Sequence, residues 1–361
     1  MEFGGHPANR QQGLTPLIQA PDDYAAAKSW LDRYQRSPNT FRAYEREVSR
    51  LLGWMRLNGL ALNQLKAEDA TSYLRLLSNP PTALVGKKQV RSSDQWRPLN
   101  KPLSEKSLNH VRTVLTTFYR FLNDAKYLTG NPFALSERIN LATEPMDRYL
   151  EMKLWQRFMG FLATELPAQS GVTPDHAERC LWIFTLLYHS GARIGELSDC
   201  KMGDFHERSG KWWLRLRGKG KKVEDVPVSN LLLSALHRYR MFHKLSPFPA
   251  LGETMPAVFR IKGEGGSLSA TAFHKIIKQV FQRFADVLSA QGEPELAKHV
   301  AGMSAHWVRH TTASHQLQSG IPLLQVSKNL RHSDISTTTI YTHEEKEVRH
   351  DAMLSFGKGI T

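Results

Sequence analysis

His306-Trp307-Val308-Arg309-His310, followed by Leu330-Arg331-His332-Ser333-Asp334-Ile335-Ser336-Thr337-Thr338-Thr339-Ile340-Tyr341-Thr342-His343, gathers imidazole, guanidinium and phenol groups into one short region. Residues 305–318 read as a helix. The three-residue step from His306 to Arg309 puts both side chains on one face, their Cβ atoms about 5–6 Å apart, where they can grip one anion. Gly320 closes that helix and Ile321-Pro322 opens another, whose apolar face (Leu323, Leu324, Val326, Leu330) ends near His332. Ser333-Asp334 is expected to cap a further turn. Tyr341 follows His332 by nine residues, far enough to stand on a separate short helix.

A protonated tyrosine is a poor nucleophile, with an ordinary pKa of about 10. Arg309 and the two histidines would stabilise both a phenolate and the charge growing on a phosphoryl oxygen. Upstream, Ser190-Gly191 ends a helix and Ala192-Arg193-Ile194-Gly195-Glu196-Leu197 opens the next. On its own that box reads more simply as a helix start bearing a solvated arginine. Residues 212–228 read as two strands around Gly218-Lys219-Gly220-Lys221-Lys222, with apolar and basic residues alternating on the first strand so that one edge is basic. The turn lacks P-loop spacing, which disfavours nucleotide binding, and a solvated basic turn stays open for Lys221 and Lys222. His306 and His310 stand at i, i+4 spacing that could hold a metal, but no nearby carboxylate or cysteine completes a recognisable zinc pattern.

Taken together, the His-x-x-Arg box, the tyrosine nine residues after His332, and a Gly-His box whose glycine is Arg331 here resemble the catalytic half of tyrosine recombinases, the phage integrase family. The resemblance implies that Arg193 is the first catalytic arginine, Glu196 supports it, and Lys219 is a mobile catalytic lysine on a β-hairpin. His306, Arg309 and His332 would complete the set, with Tyr341 as nucleophile. Tyr341 would leave a phosphotyrosyl bond to a DNA 3′ end and a free 5′ hydroxyl. That bond stores the phosphodiester energy, so no ATP, metal or other cofactor is implied.

The N-terminal half supports the same comparison. Residues 1–20 lack periodicity and read as a loose arm, and 21–130 read as a small bundle of four helices. These begin at Pro21-Asp22-Asp23, at Ser37-Pro38, near Leu65 and at Ser104. Ser37, Thr40 and Tyr44 follow a Ser-x-x-Thr-x-x-x-Tyr pattern that resembles the family's SAM-like core-binding domain, as does the break at Gly130-Asn131-Pro132. Arg42, Tyr44 and Arg46, with Thr40, are candidates to lie along DNA, although such helix faces are most often merely solvated. Residues 79–103 interrupt the bundle with Lys87, Lys88 and Arg91, either as a loop ordered by DNA or as a disordered insertion. A linker is expected over 131–147 and the catalytic domain over 148–361, where Lys221, Lys222, Lys275 and Lys278 are further candidates to meet phosphates.

Composition fits this picture. The 361 residues suffice for two domains, and 48 Lys+Arg against 34 Asp+Glu give a net charge of +14, the balance of a protein with a polyanionic partner. Two cysteines, Cys180 and Cys200, exclude a disulfide framework and a cysteine zinc site. With no apolar signal and no spanning run, the chain reads as intracellular: in a bacterium, cytoplasmic with the nucleoid as its acidic partner. The expected fold is mainly α, a helical bundle followed by a mostly helical catalytic domain with a small hairpin or sheet. The leading function is site-specific recombination of double-stranded DNA, as an integrase, a Xer-like resolvase or a transposase of a mobile element. Such an enzyme would act as a homodimer or tetramer on DNA, a monomer being compatible in solution, and could use accessory DNA-bending or directionality factors. The same nucleophile would serve a type IB topoisomerase or a telomere resolvase, and a catalytically silent DNA-binding factor is the third class.

Overall fold

The computed structural model describes residues 15–87, 89–90, 93, 95, 97–136, 149–218, 222–261, 266–332 and 338. The chain divides into two compact units, Met1–Pro145 and Met146–Thr361. As the sequence implies, the architecture is mainly α with one small sheet.

In the first unit, α1 (Asp23–Leu31), α2 (Pro38–Leu57), α3 (Ala67–Ser78) and α4 (Glu105–Asp124) enclose a core of Trp30, Leu51, Tyr73, Leu115, Phe118 and Tyr119. Each helix starts where its cap chemistry dictates. Asp22 accepts from the Ala25 amide at 2.7 Å, Pro38 occupies the first turn of α2, and Ser104 accepts from the Ser107 amide. Asp23 also ties the bundle together, accepting from the Leu62 amide at 2.8 Å and from the Tyr127 hydroxyl at 3.0 Å.

Three expectations shift here. Residues 15–20 of the expected arm join this unit: the Leu17 amide donates to Ala125 and Ala20 is buried. Asn131–Ser136, expected to start the linker, carry α5 (Pro132–Leu135), which sets Phe133 into the core. Both ends of the 79–103 insertion are anchored, with Gly86 N–H donating to Leu99, Leu99 N–H to Leu84, and Leu103 N–H to Leu77. Leu99 is itself buried, so an apolar anchor, invisible in a stretch read for its basic residues, holds this segment to the bundle.

The second unit runs through α6 (Met152–Gly160), which continues into a π-helical turn at Phe161–Glu165, then α7 (Pro174–Ser190) and the short α8 (Ile194–Ser198). A three-stranded antiparallel sheet follows in the order β1 (Phe205–Arg208), β2 (Lys211–Arg217), β3 (Val223–Pro227). After it come α9 (Asn230–Phe242), α10 (Ala270–Ala290), α11 (Pro294–Ala301), α12 (Ala305–Gln318) and α13 (Leu323–Leu330). Phe158, Phe184, Phe281 and Phe284 interlock at the centre of the core, with ring centroids 4.8–5.3 Å apart in the pairs Phe158–Phe184, Phe158–Phe281, Phe158–Phe284 and Phe184–Phe281.

The hairpin β2–β3 and helix α12 match the sequence reading; β1 and α11 do not appear in it. β1 is four residues long and only Phe205 of it is buried, so it carries no visible alternation. Pro294 occupies the first turn of α11, where its missing N–H costs nothing. The expected basic edge of β2 is also largely neutralised. Arg215 pairs with its cross-strand neighbour Asp225 at 3.0 Å, and Arg217 with the buried Asp204 at 2.9 Å. The cap at Ser333-Asp334 lies outside the described residues.

Candidate active site

The site is assembled on the C-terminal end of α7. Gly191 stops that helix in the left-handed region (φ 55°, ψ 25°), its N–H donating to Leu187. A Cβ on Gly191 would sit 2.6 Å from Leu330 Cδ2, so this position needs glycine both for its dihedral and for the approach of α13. The carbonyls at this end are the negative pole of the helix, and they attract cations. The buried guanidinium of Arg309, from the middle of α12, donates to the carbonyls of Gly191 and Leu330. Arg331 donates to the same Gly191 carbonyl at 3.2 Å, to Ser190 O at 3.3 Å and to Asn329 O at 2.8 Å.

Arg193 is the N-cap residue of α8. Its backbone N–H donates to Glu196 Oε2 and its Nη1 to Glu196 Oε1, both at 2.9 Å. The Arg193 side chain is 50 % exposed while Glu196 is only 5 % exposed, so the guanidinium lies over a buried carboxylate with its remaining nitrogens outward. Arg331 Nη2 also reaches Glu196 Oε2 at 2.7 Å, the two side chains each 5 % exposed. Burial alone would raise the Glu196 carboxyl, but the charge of Arg331 and the hydrogen bonds from Arg193 and Arg331 hold it below the usual carboxylate range. Glu196 is therefore an anion shared between two arginines.

His332 follows Arg331 directly and shares a 2.7 Å hydrogen bond between its Nδ1 and the hydroxyl of Thr338, which is fully buried. Burial, reinforced by the charges of Arg309, Arg193, Arg331 and His306, pushes its pKa down to about 4. His332 is thus neutral at pH 7. The charges of Arg193, His306, Arg309 and Arg331 all bear on this ring. His306 is exposed, and its ring stands edge-on to His310 at 4.3 Å.

The sheet meets this cluster at the base of its hairpin. Gly218 N–H donates to Lys222 O at 2.8 Å, and a Cβ on Gly218 would lie 3.7 Å from Glu196 Oε1. Lys219 is the next residue in the chain. Lys219, Lys221 and Tyr341 lie outside the described residues, as do Lys88 and Arg91.

The DNA-contact candidates fare differently. Arg42 and Arg46 are exposed on α2, although Arg46 Nε also bonds the buried Glu47 at 2.7 Å. Tyr44 stacks on Trp30 (5.1 Å, 5° between planes) and is half-buried, and Thr40 bonds the Ser37 hydroxyl at 3.0 Å; both help to build the start of α2. Lys87, Lys222 and Lys275 are exposed. Lys278 instead donates to the carbonyls of Ala301 and Gly302, capping α11. Among the described residues no group of three or more His, Cys, Asp and Glu side chains is gathered to hold a metal.

Sequence reasoning missed Arg331 as a member of this cluster, along with Gly191 and Thr338. Gly191 carried a readable signal, a glycine closing a helix two residues before a catalytic-box arginine. The partnership of Arg331 with Glu196 spans 135 residues, and no local pattern announces it.

Comparison with known proteins agrees with this geometry. The profile of the Phage integrase family matches residues 151–348, and that of the phage integrase N-terminal SAM-like domain matches residues 30–126. The tyrosine recombinase XerD of Rhizobium meliloti is 30% identical over 317 residues, covering 87% of each chain. The tyrosine recombinase XerC of Bacillus subtilis is 27% identical over 255 residues, 71% of this chain and 76% of the relative. In fold, the chain is similar to the Tn1549 transposon integrase in complex with transposon right end DNA, at TM-score 0.62 and 17% identity over 92% of this chain and 99% of that one. It is likewise similar to the XerH site-specific recombinase bound to difH substrate, at TM-score 0.61 and 15% identity over 93% of this chain and 85% of that one. A family profile spanning more than half the chain, a XerD relative along most of its length, and the arginine and histidine cluster at the end of α7 lead to one conclusion: the chain belongs to the phage integrase family and is a tyrosine recombinase, a DNA strand-transferring enzyme.

Proposed function

We propose that this recombinase cuts and rejoins double-stranded DNA at specific sites, with Tyr341 as nucleophile, Arg193, Arg309, His306 and His332 around the scissile phosphate, and Lys219 as general acid. The observation that carries this reading is the convergence of Arg193, Arg309 and His332 on the carbonyl end of α7, with Arg193 held outward over the buried Glu196.

In this mechanism the outward nitrogens of Arg193 bind a non-bridging phosphate oxygen, and a guanidinium does so with a fork that lysine cannot reproduce. Arg309, deeper and already anchored on two carbonyls, adds its positive charge to stabilise the phosphorane. The Tyr341 oxygen attacks phosphorus in line while its proton passes to neutral His332. The bond from phosphorus to the 5′ oxygen breaks, and Lys219, one residue beyond the Gly218 anchor, gives that oxygen its proton. The products are a 3′-phosphotyrosyl enzyme and a free 5′ hydroxyl. Attack by the 5′ hydroxyl of a partner strand reverses the step and completes exchange.

Each duplex site takes a dimer and exchange between two duplexes needs two such pairs, so the dimers act as a tetramer on DNA, and a monomer in solution is compatible with it. Arg42, Arg46, Lys87 and Lys275 are the exposed cations offered to the backbone, joined by Lys222 beside the hairpin. In a bacterial cell the enzyme would work in the cytoplasm at the nucleoid, serving integration, resolution or transposition of a mobile element. No helix among the described residues is long and apolar enough to cross a membrane.

Covalent trapping on nicked suicide substrates drawn from the DNA flanking the gene tests this reading. Wild type should form a protein–DNA adduct, and Tyr341→Phe should form none while retaining DNA binding. An adduct from Tyr341→Phe equal to that of wild type would remove Tyr341 from the mechanism.

A further inference from the structure

Arg331 occupies a position that is costly for an arginine. Its backbone is left-handed (φ 55°, ψ 46°), a region that glycine enters freely and other residues do not. Its side chain is almost wholly buried, which disfavours the charge, and its Nε has no hydrogen-bond partner among the described residues. The resembled pattern has glycine here, which would avoid all three penalties. Buried ion pairs do not in general raise stability, so the pair with Glu196 does not by itself account for the arginine.

The geometry around Glu196 does account for it. Without Arg331 the buried carboxylate would draw on Arg193 alone, neutralising a cation that the cleavage site needs. With Arg331 on Oε2 and Arg193 on both oxygens, the trio carries a net positive charge and the Glu196 carboxylate is fixed between two guanidiniums. Arg331 is also bonded to Ser190 O and Gly191 O, and Gly191 O is the carbonyl that holds Arg309. One side chain therefore links the supports of both arginines proposed to act on the phosphate.

We propose that Arg331 is a positioning residue for strand cleavage: it clamps Glu196 so that Arg193 presents its outward nitrogens to the phosphate, and it restores the positive charge that Glu196 subtracts from the site. The proposal rests on the assignment of Arg193 and Tyr341 given above. It separates the role of this arginine from that of the turn it occupies, because glycine would make the turn at lower cost.

The test is single-turnover cleavage of a suicide substrate by wild type, Arg331→Gly, Arg331→Met and Arg331→Lys, with DNA affinity measured in parallel. Adduct formation by wild type establishes the underlying reading independently, and its absence would count against that reading rather than against the role of Arg331. Arg331→Gly and Arg331→Met should both cleave roughly tenfold more slowly with affinity little changed, as expected when a group that orients a catalytic residue is lost. Arg331→Lys should recover part of the rate. In a Glu196→Gln background the same changes should cost clearly less, since the anion being clamped is gone. A readout independent of activity is the His332 titration followed by NMR. The groups facing it are Arg309 and His306 from α12, Arg193 before α8, and Arg331. Wild type should titrate near pH 4, and Arg331→Met should move the midpoint up toward the ordinary value of about 6.5. If Arg331 only fills the turn, Arg331→Gly will cleave at or above the wild-type rate, and the proposal fails. Effects of Arg331 and Glu196 that simply add would also overturn it.

Discussion

Gly191 meets two demands at once, a left-handed backbone and room for the Leu330 side chain. Its positive φ ends α7, and the missing side chain admits Leu330 to where a Cβ would collide at 2.6 Å. The carbonyl thereby exposed is the shared acceptor for Arg309 and Arg331. Gly191→Ala should destabilise the second unit by about 1–3 kcal/mol through backbone strain and displaced packing, and chemical denaturation measures this directly. A change below about 0.5 kcal/mol, the size of an ordinary surface substitution, would show that the end of α7 relaxes around a methyl group and is not a rigid platform. At this scale the sequence was partly legible. The His306 to Arg309 spacing and the glycine before Arg193 are local patterns, readable because a helix repeats every few residues. The Arg331–Glu196 contact and the burial of Arg309 depend on α13 folding back against the end of α7. That is tertiary information, and reading Arg309 as an open anion grip therefore missed its carbonyl partners.

At the scale of elements, the hairpin β2–β3 is the part most closely tied to the reaction after α12. Its register pairs Arg217 with Val223 and Arg215 with Asp225, leaving Gly218 to Lys222 as the connection. The Arg217–Asp204 and Arg215–Asp225 pairs neutralise two of the three basic residues of β2. If Lys219 delivers the proton to the leaving 5′ oxygen, Lys219→Ala should slow cleavage on the order of 10²–10⁴-fold. Nearly all of that loss should vanish on a substrate whose bridging 5′ oxygen is replaced by sulfur, because a thiolate leaves without a proton. An equal loss on both substrates would assign the lysine to phosphate binding instead. The hairpin was legible from alternation and its glycines. β1 was not, since four residues with one buried side chain carry no period, and α11 was hidden because a proline in the first turn of a helix gives the same local signal as one that breaks a chain.

At the scale of the molecule, two helical units and a surplus of 14 positive charges describe a protein built to hold a polyanion. Binding to duplex DNA should weaken steeply with salt, each phosphate contact contributing about −0.9 to the slope of log affinity against log salt concentration. Arg42→Ala with Arg46→Ala should make that slope shallower by about 2 if both touch the backbone; an unchanged slope would return α2 to the role of a solvated face. Strand transfer by this enzyme is proposed to run through a tyrosyl phosphodiester. Peptide mapping of the trapped protein–DNA adduct tests it most directly: the nucleotide should be found on the peptide containing Tyr341, attached through the phenolic oxygen. Attachment to any other residue, or cleavage with no covalent intermediate, would contradict the account.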